Sequence, residues 1–413
     1  MNNLNRYKLQ NGITVLYRQN KNTPRTAVNV FLNSLNNLSL EAGVANVMSR
    51  LLLQGTKKHS AEEISDIIDN NGFEFNVDVK HDYIRLQAYF LDEDFDVASD
   101  LIDEVLKEST FEKVQKEISK LRGELTADLD SPRLQAFDNL AKNMFPNHYY
   151  GNTYTKILDN LTNVTKEKVE SFYQNIFSAD NIVVSVVSSM DYGKIVDKLD
   201  KTLGVIENKS VIRPEFLITP ILENRTVTIA KKNAAQAQIV QGWLAPKLED
   251  EDFFAMSVMN TALGACGLSS RLLLELRDKK GLAYDVRSSY ESLKNTGIFT
   301  IYIGTEPKNI QISLDGFREE IGKIQNIPLS EKELSGAKNN LLGKRKYYHE
   351  TNSQQAYYLA YYEFMGLGAE FDAEIFDRIE KVSSEQVQAV AQKYLDEHSI
   401  ISVLATPEYV TGL

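Results

Sequence analysis

The sequence of 413 residues contains a single cysteine, Cys266, so no internal disulfide is possible and a disulfide scaffold is excluded. The 46 lysine and arginine residues are too few to balance 57 aspartate and glutamate residues, and the net charge of −11 argues against nucleic acid and anionic membranes as partners. No run approaches the ~18 apolar residues of a membrane-spanning helix. The opening residues, MNNLNRYKLQNG, lack the apolar core of a signal peptide. We therefore expect a cytoplasmic protein, although a mature protein whose signal had been removed would look the same.

The composition that is present, 43% hydrophobic and 25% charged residues, is typical of a globular protein with large cores, and the length suggests roughly two to three domains. The second part of the chain repeats the first. A predicted helix and buried strand, NVTKEKVESFY and NIVVSVVSS, correspond to KVSSEQVQAVA and SIISVLAT, with Val164 matching Val382 at an offset of 218. Such a duplication predicts two similar α+β domains, each an antiparallel sheet with helices packed on one face.

The domain boundary is predicted where the periodicity lapses, in a polar stretch that contains Pro214 and Pro220. We place the N-terminal domain at residues 1–205, a linker at 206–224 and the C-terminal domain at 225–413.

The first candidate site lies in the segment GVANVMSRLLLQGT, residues 43–56. Its apolar residues recur at three- and four-residue steps and predict a helix. Asn46 and Arg50 are four residues apart and share one face of that helix, with Ser49 beside them. On their own these side chains would be ordinary polar groups of a helix.

The second candidate site lies in LGACGLSSRLLLELRDKKGLAYDVRSSY. A short glycine loop, with Gly264 and Gly267, precedes a predicted helix. No Lys-Ser/Thr follows the loop, which disfavours a P-loop. Arg277 lies near the end of the helix and Tyr284, seven residues later, on the next strand. Taken alone, Arg277 would be a solvated cation favoured by the helix dipole and Tyr284 a half-buried strand aromatic.

The segment 43–56 resembles the zinc motif of the pitrilysin or insulinase-type metallopeptidases, the inverted zincins. Their H-x-x-E-H motif supplies two zinc ligands and a glutamate general base. Here those three slots hold Asn46, Ser49 and Arg50, while the surrounding frame is kept at Gly43, Ala45, Leu51, Leu52, Gly55 and Thr56. The resemblance implies that this chain contains no catalytic residue and no metal.

The family's third zinc ligand corresponds to Glu124, which lies 74 residues after Arg50 and eight before Pro132, with Glu117 two turns earlier. Arg50 would place a permanent cation where the metal belongs. We therefore expect it to pair with Glu124 or Glu117, since a buried unpaired charge is strongly unfavourable.

The second segment resembles the family's substrate-binding Arg/Tyr motif, and Arg277 and Tyr284 fall on its two positions. A guanidinium and a phenol aimed at the carbonyl oxygen of a peptide stabilise the charge that develops there. The resemblance covers nearly the whole chain and implies two similar domains in sequence that form half of a clamshell.

The chain has lost one motif and kept the other, and in this it is similar to the non-zinc subunits of two-subunit peptidases. The alpha subunit of mitochondrial processing peptidase is one example, but its longer glycine-rich loop is missing here. The leading hypothesis is a non-catalytic, substrate-binding subunit of a heterodimeric bacterial zinc peptidase, inactive as an isolated chain. Zinc would be held by a homologous partner with an intact H-x-x-E-H motif. The substrate would be a peptide bound extended against a sheet edge. A structural protein and a homodimeric peptide-binding protein without hydrolysis remain as alternatives.

Overall fold

A computed structural model of the chain describes residues 4–34, 41–209 and 216–411. The described strands of the first half are β1 (Leu4–Lys8), β2 (Thr14–Gln19), β3 (Arg25–Asn33), β4 (Glu74–Val79), β5 (Tyr83–Leu91) and β6 (Ile182–Ser188). The described α-helices of this half are α1 (Val44–Leu51), α2 (Ala61–Asn70), α3 (Phe95–Glu108), α4 (Val114–Asp128), α5 (Pro132–Met144), α6 (Tyr154–Asn160), α7 (Lys166–Ile176) and α8 (Tyr192–Lys201).

The second half repeats this alternation of strands and helices. Its described strands are β7 (Arg225–Ala230), β8 (Ala237–Ala245), β9 (Ala283–Ser292), β10 (Gly297–Thr305) and β11 (Ile400–Ala405). Its described α-helices are α9 (Asp252–Asn260), α10 (Ile310–Asn326), α11 (Glu331–Tyr347), α12 (Asn352–Phe364), α13 (Phe371–Glu380), α14 (Ser384–Tyr394) and α15 (Pro407–Val410). Two π-helical stretches lie at Thr261–Ala265 and Leu273–Lys279.

The strands form two sheets of matching order, β1-β2-β6-β3-β5-β4 and β7-β11-β8-β10-β9. All neighbours are antiparallel except β2 with β6 and β7 with β11, which occupy equivalent places in the two sheets. The repeat predicted from the sequence is confirmed residue by residue at its strongest point. Thr165 and Ser383, 218 apart, cap α7 and α14 through their side chains, and β6 and β11 begin at Ile182 and Ile400.

The predicted α+β fold with two similar sheet domains is confirmed, and the structure adds one strand to it. Strand β1 pairs with β2 at the edge of the first sheet. Its sequence, LNRYK, has no clear alternation of apolar and polar residues, so pairing with β2 rather than local pattern explains why it is extended.

The chain divides into two compact units that exchange helical segments between the sequence halves. Unit 1 comprises Met1–Glu124, Lys156–Phe216 and Tyr347–Ala373, and unit 2 comprises Leu125–Thr155, Leu217–Lys346 and Glu374–Leu413. Each unit therefore contains the sheet of one half and a helix, α12 or α5, from the other. The predicted boundaries at 205 and 225 stay a prediction, and residues 210–215 of the predicted linker lie outside the described residues.

Within unit 1, α12 packs on β3 and β6. Ala356 and Leu359 of the helix contact Ala27 and Val187 of the sheet, with Leu16 in the same cluster. Because the helix presents alanine at this contact, its backbone comes close enough for the Ala356 carbonyl to accept a hydrogen bond of 2.6 Å from the Ser185 hydroxyl. Every residue of β3 from 26 to 32 is buried. Both faces of this strand are therefore covered by the rest of unit 1.

Within unit 2, α5 has the equivalent position on β8 and β11. Leu140 and Met144 of α5 pack on the sheet beside Val240 and Leu404. Gly242 of β8 makes this approach possible, since a Cβ there would lie 2.8 Å from the Met144 sulfur. No helix in the described part of the chain is both long and apolar enough to cross a membrane.

Candidate functional sites in the two halves

The first candidate site is built on α1, which begins after Gly43 in a left-handed conformation (φ 95°). The apolar positions of α1 are buried, which leaves Asn46 and Arg50 as its partly exposed residues. Ser49 is 5% exposed, and its hydroxyl donates to the Asn46 carbonyl at 3.0 Å. Ser49 therefore satisfies its hydrogen bond within the helix.

Arg50 lies against α4 and contacts both carboxylates predicted from the sequence. Its Nε donates to Glu117 Oε2 at 3.1 Å, and its two terminal nitrogens donate to Glu124 Oε2 and Oε1 at 2.9 and 2.7 Å. The predicted pairing of Arg50 is therefore confirmed. Burial opposes the charge of Arg50, but hydrogen bonds and attraction to Glu124 and Glu117 outweigh it and raise the pKa of the guanidinium.

The Arg50 cluster contains a second cation that sequence analysis missed. Lys120 Nζ lies 2.7 Å from Glu117 Oε1, three residues along α4. The i,i+3 spacing is the signal that could have found it. The Glu117 side chain is 3% exposed, so its charge needs such partners. With two cations and two carboxylates, the cluster is electrically balanced.

The donor set of this cluster does not fit zinc. Catalytic zinc uses three protein ligands of the histidine, cysteine or carboxylate type and keeps a position for water. At the motif positions the chain offers an amide, a hydroxyl already bonded to the helix backbone and a guanidinium that holds both carboxylates. Among the described residues, no group of three or more histidine, cysteine, aspartate or glutamate side chains is arranged to hold a metal ion.

The second candidate site joins the π-helical stretch at Leu273–Lys279 to β9. Gly281 adopts φ +63°, and Leu282 N–H donates to the Leu276 carbonyl at 2.8 Å, which folds the strand back on the helix. This turn brings the Arg277 guanidinium carbon to 5.1 Å from the centre of the Tyr284 ring. The sequence separation of seven residues therefore becomes a direct contact.

Neither side chain of this pair is strongly bound by the rest of the protein. Tyr284 is 83% exposed, which contradicts the alternative of a half-buried strand aromatic. Its hydroxyl makes no hydrogen bond within the described part of the chain. Within the described part of the chain, the carboxylate paired with Arg277 is that of Asp278, whose Oδ1 lies 3.8 Å from Arg277 Nε. A role in substrate binding stays a prediction, but the donors of both side chains are available for it.

Comparison with known proteins matches the two halves of the chain separately. The family model described as Insulinase (Peptidase family M16) matches residues 14–156, and the model described as Peptidase M16 inactive domain matches residues 163–341. The chain belongs to the M16 peptidase family. The first match spans the Arg50 cluster, and the second spans Arg277 and Tyr284.

The M16 relatives carry names that differ on activity. The chain is 25% identical over 411 residues to the uncharacterized zinc protease YmxG of Bacillus subtilis, covering 97% of this chain and 98% of that protein. It is also 25% identical over 393 residues to the non-peptidase homolog YmxG of Helicobacter pylori, covering 91% and 87%. Equal identity to both leaves the question of activity to the site residues themselves.

A solved structure supports the fold of this M16 chain. The crystal structure of a peptidase M16 inactive domain from Pseudomonas fluorescens superposes with a TM-score of 0.89 and covers 98% of each chain. At 18% sequence identity, this likeness concerns the fold alone.

Proposed function

We propose that the chain is a non-catalytic, peptide-binding M16 subunit that supplies Arg277 and Tyr284 to the zinc site of a homologous partner. The observation that carries this proposal is the Arg277–Tyr284 contact, in which the guanidinium lies 5.1 Å from the ring centre while the phenol remains 83% exposed. The replaced zinc motif supports it further, because Arg50 and its carboxylate partners occupy the positions where the motif would hold zinc.

The chemistry of the pair suits a peptide carbonyl. A zinc ion on the partner would supply the activated water and polarise the carbonyl. The guanidinium of Arg277 and the hydroxyl of Tyr284 would donate hydrogen bonds to the oxygen on which negative charge develops. The cation–π contact limits the orientations of the arginine, so the two donors are positioned together before a ligand arrives.

Binding of an extended peptide also requires a strand whose outer backbone groups can pair with it. Strand β9, which begins one residue before Tyr284, is an edge strand that pairs with β10 among the described strands. Its outer N–H and C=O groups could pair with a peptide backbone, as in strand addition.

The alternative is that the chain is a peptide-binding or structural M16 protein without peptidase activity. Such a protein could pair with a homologous chain or with a second copy of itself. The name of the Helicobacter pylori relative, non-peptidase homolog, favours this second candidate. The exposed and unbonded Tyr284 hydroxyl counts against a purely structural role.

The test combines this chain with a homologous chain that carries H-x-x-E-H. We expect peptidase activity that neither chain has alone. Tyr284→Phe, which deletes one hydroxyl, and Arg277→Ala should each lower kcat/KM by roughly ten- to a thousandfold. The matched controls are Tyr409→Phe and Arg318→Ala, whose side chains are also exposed and should leave activity unchanged.

Association of the two chains, measured by sedimentation, should be the same for all four variants. Full activity of both Tyr284→Phe and Arg277→Ala in the assembled complex would overturn the assignment. Activity that never appears with any partner, together with retained peptide binding, would favour the second candidate.

A further inference from the structure

Unit 2 contains a cavity of about 530 Å³ that the function proposed above does not use. Its charged lining residues are Arg133 on α5 and Asp285 and Arg287 on β9, and Tyr302 of β10 forms part of its wall. The glycine loop closes another side. Gly264 lies so close to β9 that a Cβ there would be 2.2 Å from the Ser288 nitrogen.

The two arginines of the cavity share one carboxylate. Arg287 binds Asp285 through two nitrogens, at 2.9 Å from Nε and 2.5 Å from a terminal nitrogen. Arg133 reaches the same carboxylate with a single contact of 3.4 Å. Guanidinium groups stay charged at all ordinary pH values, so the charged residues that line the cavity carry one excess positive charge.

Aromatic contacts hold Arg133 in place. Its guanidinium carbon lies 4.5 Å from the centre of the Tyr302 ring and 5.7 Å from that of Phe137. Tyr302 is fixed in turn, because its hydroxyl donates to Gln238 Oε1 at 2.6 Å. A planar guanidinium held over a ring offers a fork of N–H donors that matches a carboxylate, and Asp285 occupies only a small part of that fork.

We propose that this cavity binds the carboxylate of an acidic side chain in a peptide ligand, with Arg133 and Arg287 as its partners. The proposal rests on the function proposed above insofar as it takes the ligand to be a peptide. Asp285 directly follows Tyr284, and adjacent strand residues are ~3.3 Å apart along the chain. Successive side chains of a strand point to opposite faces, so a peptide that adds along the β9 edge with one residue at Tyr284 would place its next residue on the face of Asp285 and the cavity.

The test measures binding of a capped, glutamate-containing peptide to the full chain by calorimetry. The reference is the same peptide with glutamine at every glutamate position. We expect the acidic peptide to bind at least tenfold more tightly, a difference typical of one charge-assisted hydrogen bond. Arg133→Gln and Arg287→Gln should each remove most of this preference, and Arg133→Lys should retain part of it.

The direction in which Asp285→Asn changes the affinity for the acidic peptide decides between ligand binding and a structural role. The substitution removes the carboxylate that competes with the ligand, so the acidic peptide should bind about threefold or more tightly. If Arg133, Asp285 and Arg287 had a purely structural role, the acidic peptide should bind more weakly to this variant, because Arg287 would lose the carboxylate that holds it. Arg318→Gln, in an exposed Arg–Asp pair on α10, is the matched control and should change nothing.

No preference for the acidic peptide, or weaker binding in Asp285→Asn, would overturn the proposal. Inorganic phosphate is the competing probe, and binding of phosphate without binding of the acidic peptide would overturn the peptide assignment. Failure here is separable from failure of the proposed function, because this experiment needs no zinc-bearing partner and leaves Arg277 and Tyr284 intact. Circular dichroism of each variant verifies that it is folded.

Discussion

Arg50 and Arg277 have similar side-chain exposures, 27% and 33%, but very different partners. Arg50 donates three hydrogen bonds to two carboxylates. Arg277 has a ring at 5.1 Å and one carboxylate at 3.8 Å. The comparison teaches that exposure does not separate a stabilising arginine from one available for a ligand. The number of donors already used within the protein does, because only unused donors can bind a ligand without breaking existing bonds.

The largest effect is expected from restoring the two histidines of the zinc motif at positions 46 and 50. In Asn46→His/Arg50→His, two imidazoles would stand four residues apart on one face of α1, with Glu124 freed from its arginine. We expect about one zinc per chain by metal analysis, where Asn46→His/Arg50→Gln, which lacks the second imidazole, retains none after dialysis. Addition of Glu124→Ala to the double histidine variant should weaken zinc binding by at least tenfold. Equal zinc content in all these variants would mean that the motif frame no longer positions ligands.

A smaller effect is expected from deleting the Arg50 side chain alone. Arg50→Met leaves Glu117 buried with Lys120 as its remaining ion-pair partner among the described residues, and we expect the free energy of local opening to fall by about 2–3 kcal/mol. This value is below the ~3–5 kcal/mol of a fully buried pair, since Arg50 is partly exposed and Lys120 remains. Hydrogen exchange of α1 and α4 amides would measure the free energy of local opening.

Two further variants sharpen the Arg50 result. Lys120→Ala removes the more exposed partner and should destabilise by less than about 1 kcal/mol. Adding Glu117→Gln to Arg50→Met should recover part of the loss, because the buried charge is then gone. If Arg50→Met exchanges like the wild type, the cluster does not stabilise the helix pair.

The smallest effect is expected at the other arginine. Tyr284→Phe and Arg277→Ala should change the free energy of local opening by less than about 0.5 kcal/mol, as is usual for exposed surface positions. The same exchange measurement, applied to β9 and its neighbour β10, tests this. Destabilisation equal to that of Arg50→Met would erase the distinction and make the Arg277–Tyr284 contact a structural one.

The sequence predicted the pairing of Arg50 and placed Arg277 and Tyr284 in one candidate site, because both predictions depend on short-range geometry or on a family frame. One helical turn separates Asn46 from Arg50, and the turn at Gly281 brings Arg277 to Tyr284. The register of Glu124 relative to Pro132 came from the resemblance and placed the carboxylate partner of Arg50.

The exchanged helices and the Arg133 cavity were beyond such reasoning. The apolar face of α12 predicts that the helix is buried but does not say against which sheet. Arg133 and Asp285 are 152 residues apart, and no motif pairs the two. Their meeting depends on α5 packing in unit 2, which is a property of the whole fold.

The exchange of α5 and α12 affects the order in which the protein can mature on the ribosome. Synthesis proceeds from the N-terminus, yet unit 1 needs Tyr347–Ala373 to be complete. Until α12 emerges, the face of the first sheet formed by Leu16, Ala27 and Val187 has no helix to cover it. The first sheet therefore cannot be fully covered until most of the chain has been synthesised, and its exposed apolar surface can meanwhile aggregate or bind chaperones. A fragment cut at the repeat boundary would leave each sheet without its partner helix.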